Sequence, residues 1–390
     1  MYSEKDIKNN IRNQIQSVTN YIQKTHEECP IIHYEDIYKI QCFLQDKLEE
    51  HNKTINLISS PDKYFLDIIV NSKELSQNNK QGVVKIVTIN MNNKYIKTVL
   101  KYGKDYHKSI EAILHEVSIG YFLNNLRLSG NINFMYVYTP FYCSVGKDIC
   151  LNTKIENLTT CAFFEYVDGI SVAQYMKNNC DNNITILNTT YIKIFLQLVL
   201  ALADAQSFCN FVHYDLHDEN IMLKKIKTPV NMVYKHIGYK LSNVDFYPCI
   251  IDYGNAIVKS NNNYFLPFTH STVKIKYFED LSYNKDPFLS CYDIFHFSMM
   301  SLYTISRCEK EKKEDIQKIW KIIMSFFIVR AESLDISVSC KKYLTKQTFT
   351  SDALFYRLKV KDKELVNIDI KHYLNYLIKI INPDNLEIIV

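Results

Sequence analysis

The chain has 390 residues, 47% of them hydrophobic, which is enough to bury a large core in two tightly joined lobes. Its 46 Lys and Arg against 42 Asp and Glu leave a net charge of +4, too balanced to argue for nucleic acid or a membrane surface as main partner. No apolar run approaches the roughly 20 residues of a membrane span. The N-terminus lacks the basic-then-apolar order of a signal peptide, and the 11 scattered cysteines include no CxxC, so reduced thiols in a cytosol-like compartment are expected.

The first predicted element is a helix. Ser3 and Asp6 fit an N-terminal capping box, and Ile7, Ile11, Ile15, Val18 and Ile22 follow at helical spacing. A second helix is expected over 35–50, with Ile37, Ile40, Leu44 and Leu48 on one face. This pair is expected to pack on its own domain, with a partner as its other use. From Gly82 the period changes. Residues 83–89 and 95–102 read as strands joined by a turn over 90–94, and a helix is expected over 109–126. Further strands are expected over 134–142 and 160–167. Beyond them the pattern is mainly helical. Residues 191–208 are apolar almost all round, which argues a buried helix, and 293–305 and 316–329 are similar. A strand-rich small part before a helix-rich large part suggests two lobes with a cleft between them.

The chemistry concentrates in His213-Tyr-Asp215-Leu-His217-Asp-Glu-Asn220, followed by Ile221-Met222-Leu223 and later by Ile250-Ile251-Asp252-Tyr253-Gly254. Two acids and an amide thus stand at the edges of short apolar strands. Asp and Asn supply hard oxygen ligands suited to magnesium, and a third group can accept a proton from a nucleophile. Phosphoryl transfer needs these parts, because its catalysis is mostly positioning and charge neutralisation.

HYDLHDEN resembles the HRDLxxxxN catalytic loop of eukaryotic-like protein kinases, and DYG resembles their DFG. The resemblance implies an α+β, bilobal protein-kinase-like fold: a small antiparallel-sheet N-lobe with one helix and a larger helical C-lobe. It implies ATP and Mg2+ as cofactors. Asp215 is then the base that accepts the substrate hydroxyl proton, Asn220 and Asp252 hold the metal ions, and Met222 lines the adenine pocket. Thr98-Val99-Leu100-Lys101 resembles VAIK, so Lys101 would contact the α- and β-phosphates; Lys97 is a rival on the same strand face. Lys101 is preferred because it leaves Val99 to cover the adenine. Glu116 resembles the helix glutamate that pairs with this lysine, ahead of Glu111. Phe163-Phe-Glu165-Tyr-Val167 resembles the hinge, where the backbones of Glu165 and Val167 would bond the adenine edge and Phe164 would guard the back pocket. Asp293 resembles the helical aspartate that anchors the catalytic loop from below.

The domains implied are a helical extension over 1–65, an N-lobe over 66–167 and a C-lobe over 168–390, with an insert at about 225–246. The resemblance itself spans roughly residues 75–310.

Several positions depart from the pattern. Of the glycine-rich loop only Gly82 is kept, with Val84 behind it; the other glycine positions fall on Gln77 and Asn79. Two lost glycines weaken the approach of backbone NH groups to phosphate. Tyr214 replaces the arginine that normally meets an activation-segment phosphate, so activity independent of Ser271 and Thr272 is expected. His217 replaces the usual lysine, and no APE motif follows Asp252. The insert before IIDYG and the AT-rich coding bias resemble the serine/threonine kinase-like proteins of nucleocytoplasmic large DNA viruses, which would place the chain in host cytoplasm or virion.

The leading expectation is a serine/threonine protein kinase acting on a protein substrate. A small-molecule kinase of the aminoglycoside or choline type fits DLH and the absent APE. A pseudokinase binding module fits the degenerate glycine loop. Among weaker signals, His26, Cys29 and His33 read as solvated helix-end residues before they read as zinc ligands. Lys310 to Asp315 read as an exposed run, Cys143 and Cys150 as reduced, and Lys224, Lys225 and Lys227 as a solvated face.

Overall fold

The computed structural model describes residues 37, 39–47, 69–75, 82–102, 106–144, 158–180, 184–260, 263–265, 290–306, 323, 369–381 and 383–389. The helix expected from Ile7, the loop positions Gln77 and Asn79, the His26, Cys29 and His33 group, Cys150, Ser271, Thr272, the run from Lys310 and nearly all of the helix expected over 316–329 lie outside the described residues. The fold is α+β with antiparallel sheets. The chain divides into two compact units: one holds the described residues up to Ser129 and Met135–Tyr166, the other Gly130–Phe134, Val167–Phe265 and the later elements.

The first unit is built on a five-stranded sheet of order β1-β2-β3-β5-β4: β1 (Ile69–Glu74), β2 (Val83–Met91), β3 (Lys94–Tyr102), β4 (Val137–Ser144) and β5 (Leu158–Glu165). The β2–β3 hairpin closes on two residues, Asn92 and Asn93, at φ 51° and 67°. Two positive φ angles in a two-residue loop match the right-handed twist of the strands, and asparagine tolerates them. Asn93 N also donates to Asn90 Oδ1 at 2.9 Å. Alternation along the strands then sorts the faces. Val87, Ile89, Leu100, Cys161 and Phe163 pack together with Ile37, Ile40 and Leu44, the apolar stripe of helix α1 (residues 39–47 with Ile37 ahead). Each such side chain contributes roughly 1.5–3 kcal/mol by leaving water. Gln41, buried on the same helix, accepts a hydrogen bond from Tyr136 Oη. The residues between, Val99, Lys101 and Phe164, point away from this cluster, to the face served by α2 (Tyr106–Leu128).

The second unit is built around α4 (Ile184–Cys209), which follows α3 (Val172–Cys180). Residues 190–209 are long and apolar enough to cross a membrane by length and composition, contrary to the expectation that no run reaches that length. The helix is apolar all round because other elements cover it. Phe195 and Tyr191 stack on Phe297 of α5 (Tyr292–Ser306) at 6.1 and 6.0 Å, and Tyr373 of α6 (Ile370–Ile381) meets Phe195 edge-on at 6.1 Å.

The expected insert is a long hairpin, β7 (Ile221–Tyr234) and β8 (Tyr239–Ile250), flanked by β6 (Ile170–Ser171) and β11 (Leu386–Ile388) in the order β11-β8-β7-β6. A short hairpin of β9 (Val258–Ser260) and β10 (Asn263–Phe265) completes the described strands. The second unit is therefore less purely helical than expected. The strand expected from residue 134 starts three residues later, at Val137. Residues before it belong to the second unit: Asn133 O accepts Ile250 N at 2.6 Å, and Asn133 Nδ2 donates to Pro248 O at 2.7 Å.

Candidate active site

The antiparallel ladder of the long hairpin sets the spacing of two candidate ligand groups. Ile221 opens β7 opposite Ile250, which closes β8. One further bond, Ile251 N to Asn220 O at 3.0 Å, extends the ladder past the strand ends. Asn220 and Asp252 therefore leave the same edge of the sheet side by side. The Asn220 amide is oriented by its own loop: Nδ2 donates to Asp215 O at 3.0 Å, which commits the nitrogen and leaves Oδ1 as the end with acceptor character for a ligand. An exposed carboxylate at Asp252 and an amide oxygen at Asn220 form a hard-oxygen pair that suits magnesium in donor chemistry. Among the described residues no three His, Cys, Asp or Glu side chains gather as a metal cluster.

The loop that carries Asp215 is anchored from below. Asp293, fully buried in the first turn of α5, accepts His213 N at Oδ2 (2.7 Å) and Tyr214 N at Oδ1 (2.9 Å). Two charge-assisted bonds to consecutive amides fix the backbone just before Asp215. The buried His213 ring adds a second anchor. Its Nδ1 accepts Asp215 N at 3.2 Å, which assigns the proton to Nε2, 3.0 Å from Ile251 O. The imidazole thereby links the Asp215 loop to the end of β8. Phe211 and Tyr253 meet its ring edge-on, both at 6.2 Å. Asp215 O also accepts His217 N at 2.9 Å.

Tyr214 is buried against Tyr292, ring centroids 5.1 Å apart, so the side chain at this position serves packing. Tyr214 and Asp252 both sit in left-handed backbone, at φ 59° and 64°. Such conformations cost of order 1–3 kcal/mol outside glycine and concentrate where a site imposes them.

In the first unit Lys101 Nζ lies 2.6 Å from Glu116 Oε1, and the pair is largely buried. Glu116 comes from the middle of α2, on the sheet face that Lys101 shares with Phe164; Lys101 Nζ stands 5.2 Å above the Phe164 ring. Lys97, four residues earlier on that face, lies over the Tyr166 ring at 5.3 Å instead. Val84 stands opposite Lys101, and Val99 opposite Phe164. Gly82 precedes β2 and is half-buried. Glu165 ends β5. Its amide donates to Tyr136 O at 2.9 Å, and its buried carboxylate holds Arg127 at 2.6 Å while accepting Tyr136 N at 3.2 Å. Val167 and Met222 belong to the second unit, where Val167 is buried and Met222 stands opposite Cys249.

Two groups escaped the sequence reading. Asn255 Nδ2 donates to Asp215 Oδ2 at 3.0 Å across 40 positions, and the Arg127–Glu165 pair spans 38. Asn255 had a signal in principle, an amide three residues beyond Asp252. The ion pair had none, since a lone Arg and a lone Glu so far apart read as solvated charges.

No family model matches the chain. A stretch of 128 residues is 28% identical to the protein named "Probable kinase 098L" of Invertebrate iridescent virus 3, covering 33% of this chain and 22% of that protein. A stretch of 240 residues is 24% identical to "Uncharacterized protein 179R" of Invertebrate iridescent virus 6, covering 59% of this chain and 17% of the relative. A third match, 25% identical over 171 residues, is to "Uncharacterized protein 035R" of Invertebrate iridescent virus 3, covering 38% of this chain and 15% of that protein. The chain thus spans about a fifth of the length of these curated relatives or less, and a kinase-like relationship rests on the first of them.

Proposed function

We propose that this chain is an ATP- and magnesium-dependent phosphotransferase that passes the γ-phosphoryl group to a serine or threonine hydroxyl of a protein. The observation that carries the reading is the Asp215–Asn220–Asp252 arrangement. One loop, pinned by Asp293 and His213, holds a carboxylate beside an oriented amide and next to a second carboxylate at the neighbouring strand end. The 28% identical relative named a probable kinase supports it independently.

In the transfer, Asp215 orients the acceptor hydroxyl and takes its proton as the oxygen–phosphorus bond forms. The bond between the γ-phosphorus and the bridging oxygen breaks, and ADP leaves. Asn220 and Asp252 would hold magnesium, which when bound neutralises charge on the phosphate oxygens. Lys101 would carry positive charge to the α- and β-phosphates, held in place by Glu116 at 2.6 Å. In this reading Val84, Val99 and Met222 would supply apolar surface to the adenine. The Glu165 and Val167 backbones would bond its edge.

The test is transfer from radiolabelled ATP with magnesium to an acidic and a basic generic protein, with Asp215→Asn alongside. Wild-type labelling that falls by roughly a hundredfold or more in the variant is the expected result. Labelling that survives in Asp215→Asn would remove Asp215 from the chemistry. Absence of labelling together with thermal stabilisation by ATP would redirect the search to small-molecule acceptors. Absence of both would leave a binding module.

A further inference from the structure

We propose that Asn255 is the positioning residue of the Asp215 carboxylate, an inference that rests on reading Asp215 as the base. The backbone of Asp215 is fixed on both sides within its own loop: its amide donates to His213 Nδ1, and its carbonyl accepts His217 N and Asn220 Nδ2. None of these bonds sets the rotation of the carboxylate, whose terminal torsion is intrinsically broad. The bond from Asn255 Nδ2 to Asp215 Oδ2, at 3.0 Å, acts on that torsion directly.

Asn255 is itself delivered by structure independent of this bond. A two-way β-bridge, Val212 N to Ile257 O at 3.0 Å and Ile257 N to Val212 O at 2.8 Å, ties the segment after Asp252 to the residues between α4 and the Asp215 loop. A turn closed by Ala256 N on Tyr253 O at 3.0 Å then presents residue 255 half-buried beside Asp215.

The chemistry of the donor matters as much as its place. A base that accepts a hydroxyl proton must be aimed yet must stay basic. A lysine or arginine at this distance would aim the carboxylate while strongly favouring its charged form, making it a poorer proton acceptor. A neutral amide aims it with a weaker pull. Asn255 donates to Oδ2 and so fixes the plane in which the carboxylate meets the acceptor hydroxyl. The hydroxyl proton passes to the carboxylate, and the new oxygen–phosphorus bond replaces the one lost to ADP.

The experiment compares wild type, Asn255→Ala, Asn255→Asp and the double variant Asp215→Asn/Asn255→Ala in the full chain, reading kcat, KM for ATP and the thermal midpoint. Asn255→Asp keeps the shape, removes the donor and adds a like charge beside Asp215, whereas Asn255→Ala removes the donor without charge, so a loss of kcat shared by both is assigned to the missing hydrogen bond and not to packing. Expected is a fall in kcat of roughly 10- to 100-fold in both single variants, with KM for ATP and the thermal midpoint unchanged. In the Asp215→Asn background the added alanine should change the residual rate no further, because no base is left to aim. Retention of wild-type kcat in Asn255→Asp overturns the inference. So does a loss confined to KM, or one that tracks a lowered midpoint in Asn255→Ala while Asn255→Asp stays active. A wild-type chain inactive towards every acceptor removes the phosphotransfer reading, and the inference with it. An active wild type with active Asn255 variants removes the inference alone.

Discussion

At the scale of single residues, one buried acid lies on the helix α4, outside the proposed chemistry. Asp204, fully buried on α4, accepts Asn131 Nδ2 at 3.0 Å and His236 N at 2.7 Å, and so fastens the turn of the β7–β8 hairpin to the helix. Burial raises its pKa to about 6, against the lowering effect of these hydrogen bonds. A carboxyl whose pKa is higher folded than unfolded binds its proton more tightly in the folded state. Its contribution is complete below the unfolded value near 3.8 and is lost as pH rises through about 6. His236 works the other way. Its pKa is lowered by burial and then by the charge of Lys235, so its contribution is present above the usual histidine value and lost on acidification. Asp204→Asn mimics the protonated acid at every pH. Chemical denaturation at pH 5 and pH 8 should find the variant gaining on wild type by about 1 kcal/mol over that interval, with His236 common to both proteins. A difference that does not change with pH would refute this assignment.

At the scale of elements, legibility followed locality. The β2–β3 hairpin, α2 and α4 were readable because their signals, strict alternation or a helical period, lie within one contiguous run. The Asp215 loop and the DYG segment stood out for the same reason, since each is a short string. The long hairpin read as an insert because register shifts between Lys225, Val230 and Met232 interrupt its period of two. Asn255 and the Arg127–Glu165 pair belong to no local pattern, since tertiary contact alone brings them together. One element contact hides in the apparently ordinary Val167-Asp-Gly169 turn. Gly169 leads into β6, which pairs with β7 through Ile170 opposite Leu223 and Ser171 opposite Met222. A Cβ at Gly169 would stand 2.1 Å from Leu223 O and 2.8 Å from its carbonyl carbon, both backbone atoms that cannot swing aside. Gly169→Ala must therefore push β6 off β7, two strand positions from Asn220. Equilibrium denaturation should show a loss of roughly 1–3 kcal/mol. A variant as stable as wild type would mean that β6 moves without resistance.

At the scale of the whole chain, the last described elements close onto segments far earlier in sequence. α6 buries Ile370, Tyr373, Leu374 and Leu377. Ile370 N donates to Ser290 Oγ at 2.8 Å, and Ser290 Oγ in turn donates to Gln206 Oε1 on α4 at 2.6 Å. Tyr373 places its ring against Phe195 and its hydroxyl on Ile323 O at 2.9 Å. β11 then adds to the edge of β8, with Leu386 opposite Leu241 and Asn385 Nδ2 donating to Ser242 O at 2.7 Å. No motif marked these residues, because their function is to cover α4, and a covering helix needs only an apolar stripe. The two elements differ in weight. Four buried side chains on α6 amount to roughly 6–12 kcal/mol of burial, comparable with the whole net stability of a domain. β11 is mostly exposed, and its ion pair, Lys240 with Glu387 at 3.0 Å, stands in solvent where such pairs add little. A chain ending at residue 368 should consequently lose its cooperative thermal transition or fail to stay soluble, because Phe195 and Tyr191 lose their cover. A chain ending at residue 382 should melt close to wild type. Calorimetry of the two truncations beside the full chain distinguishes the weights. Equal damage from both would mean that the β8 edge, and not the α6 stripe, is what the second unit needs closed.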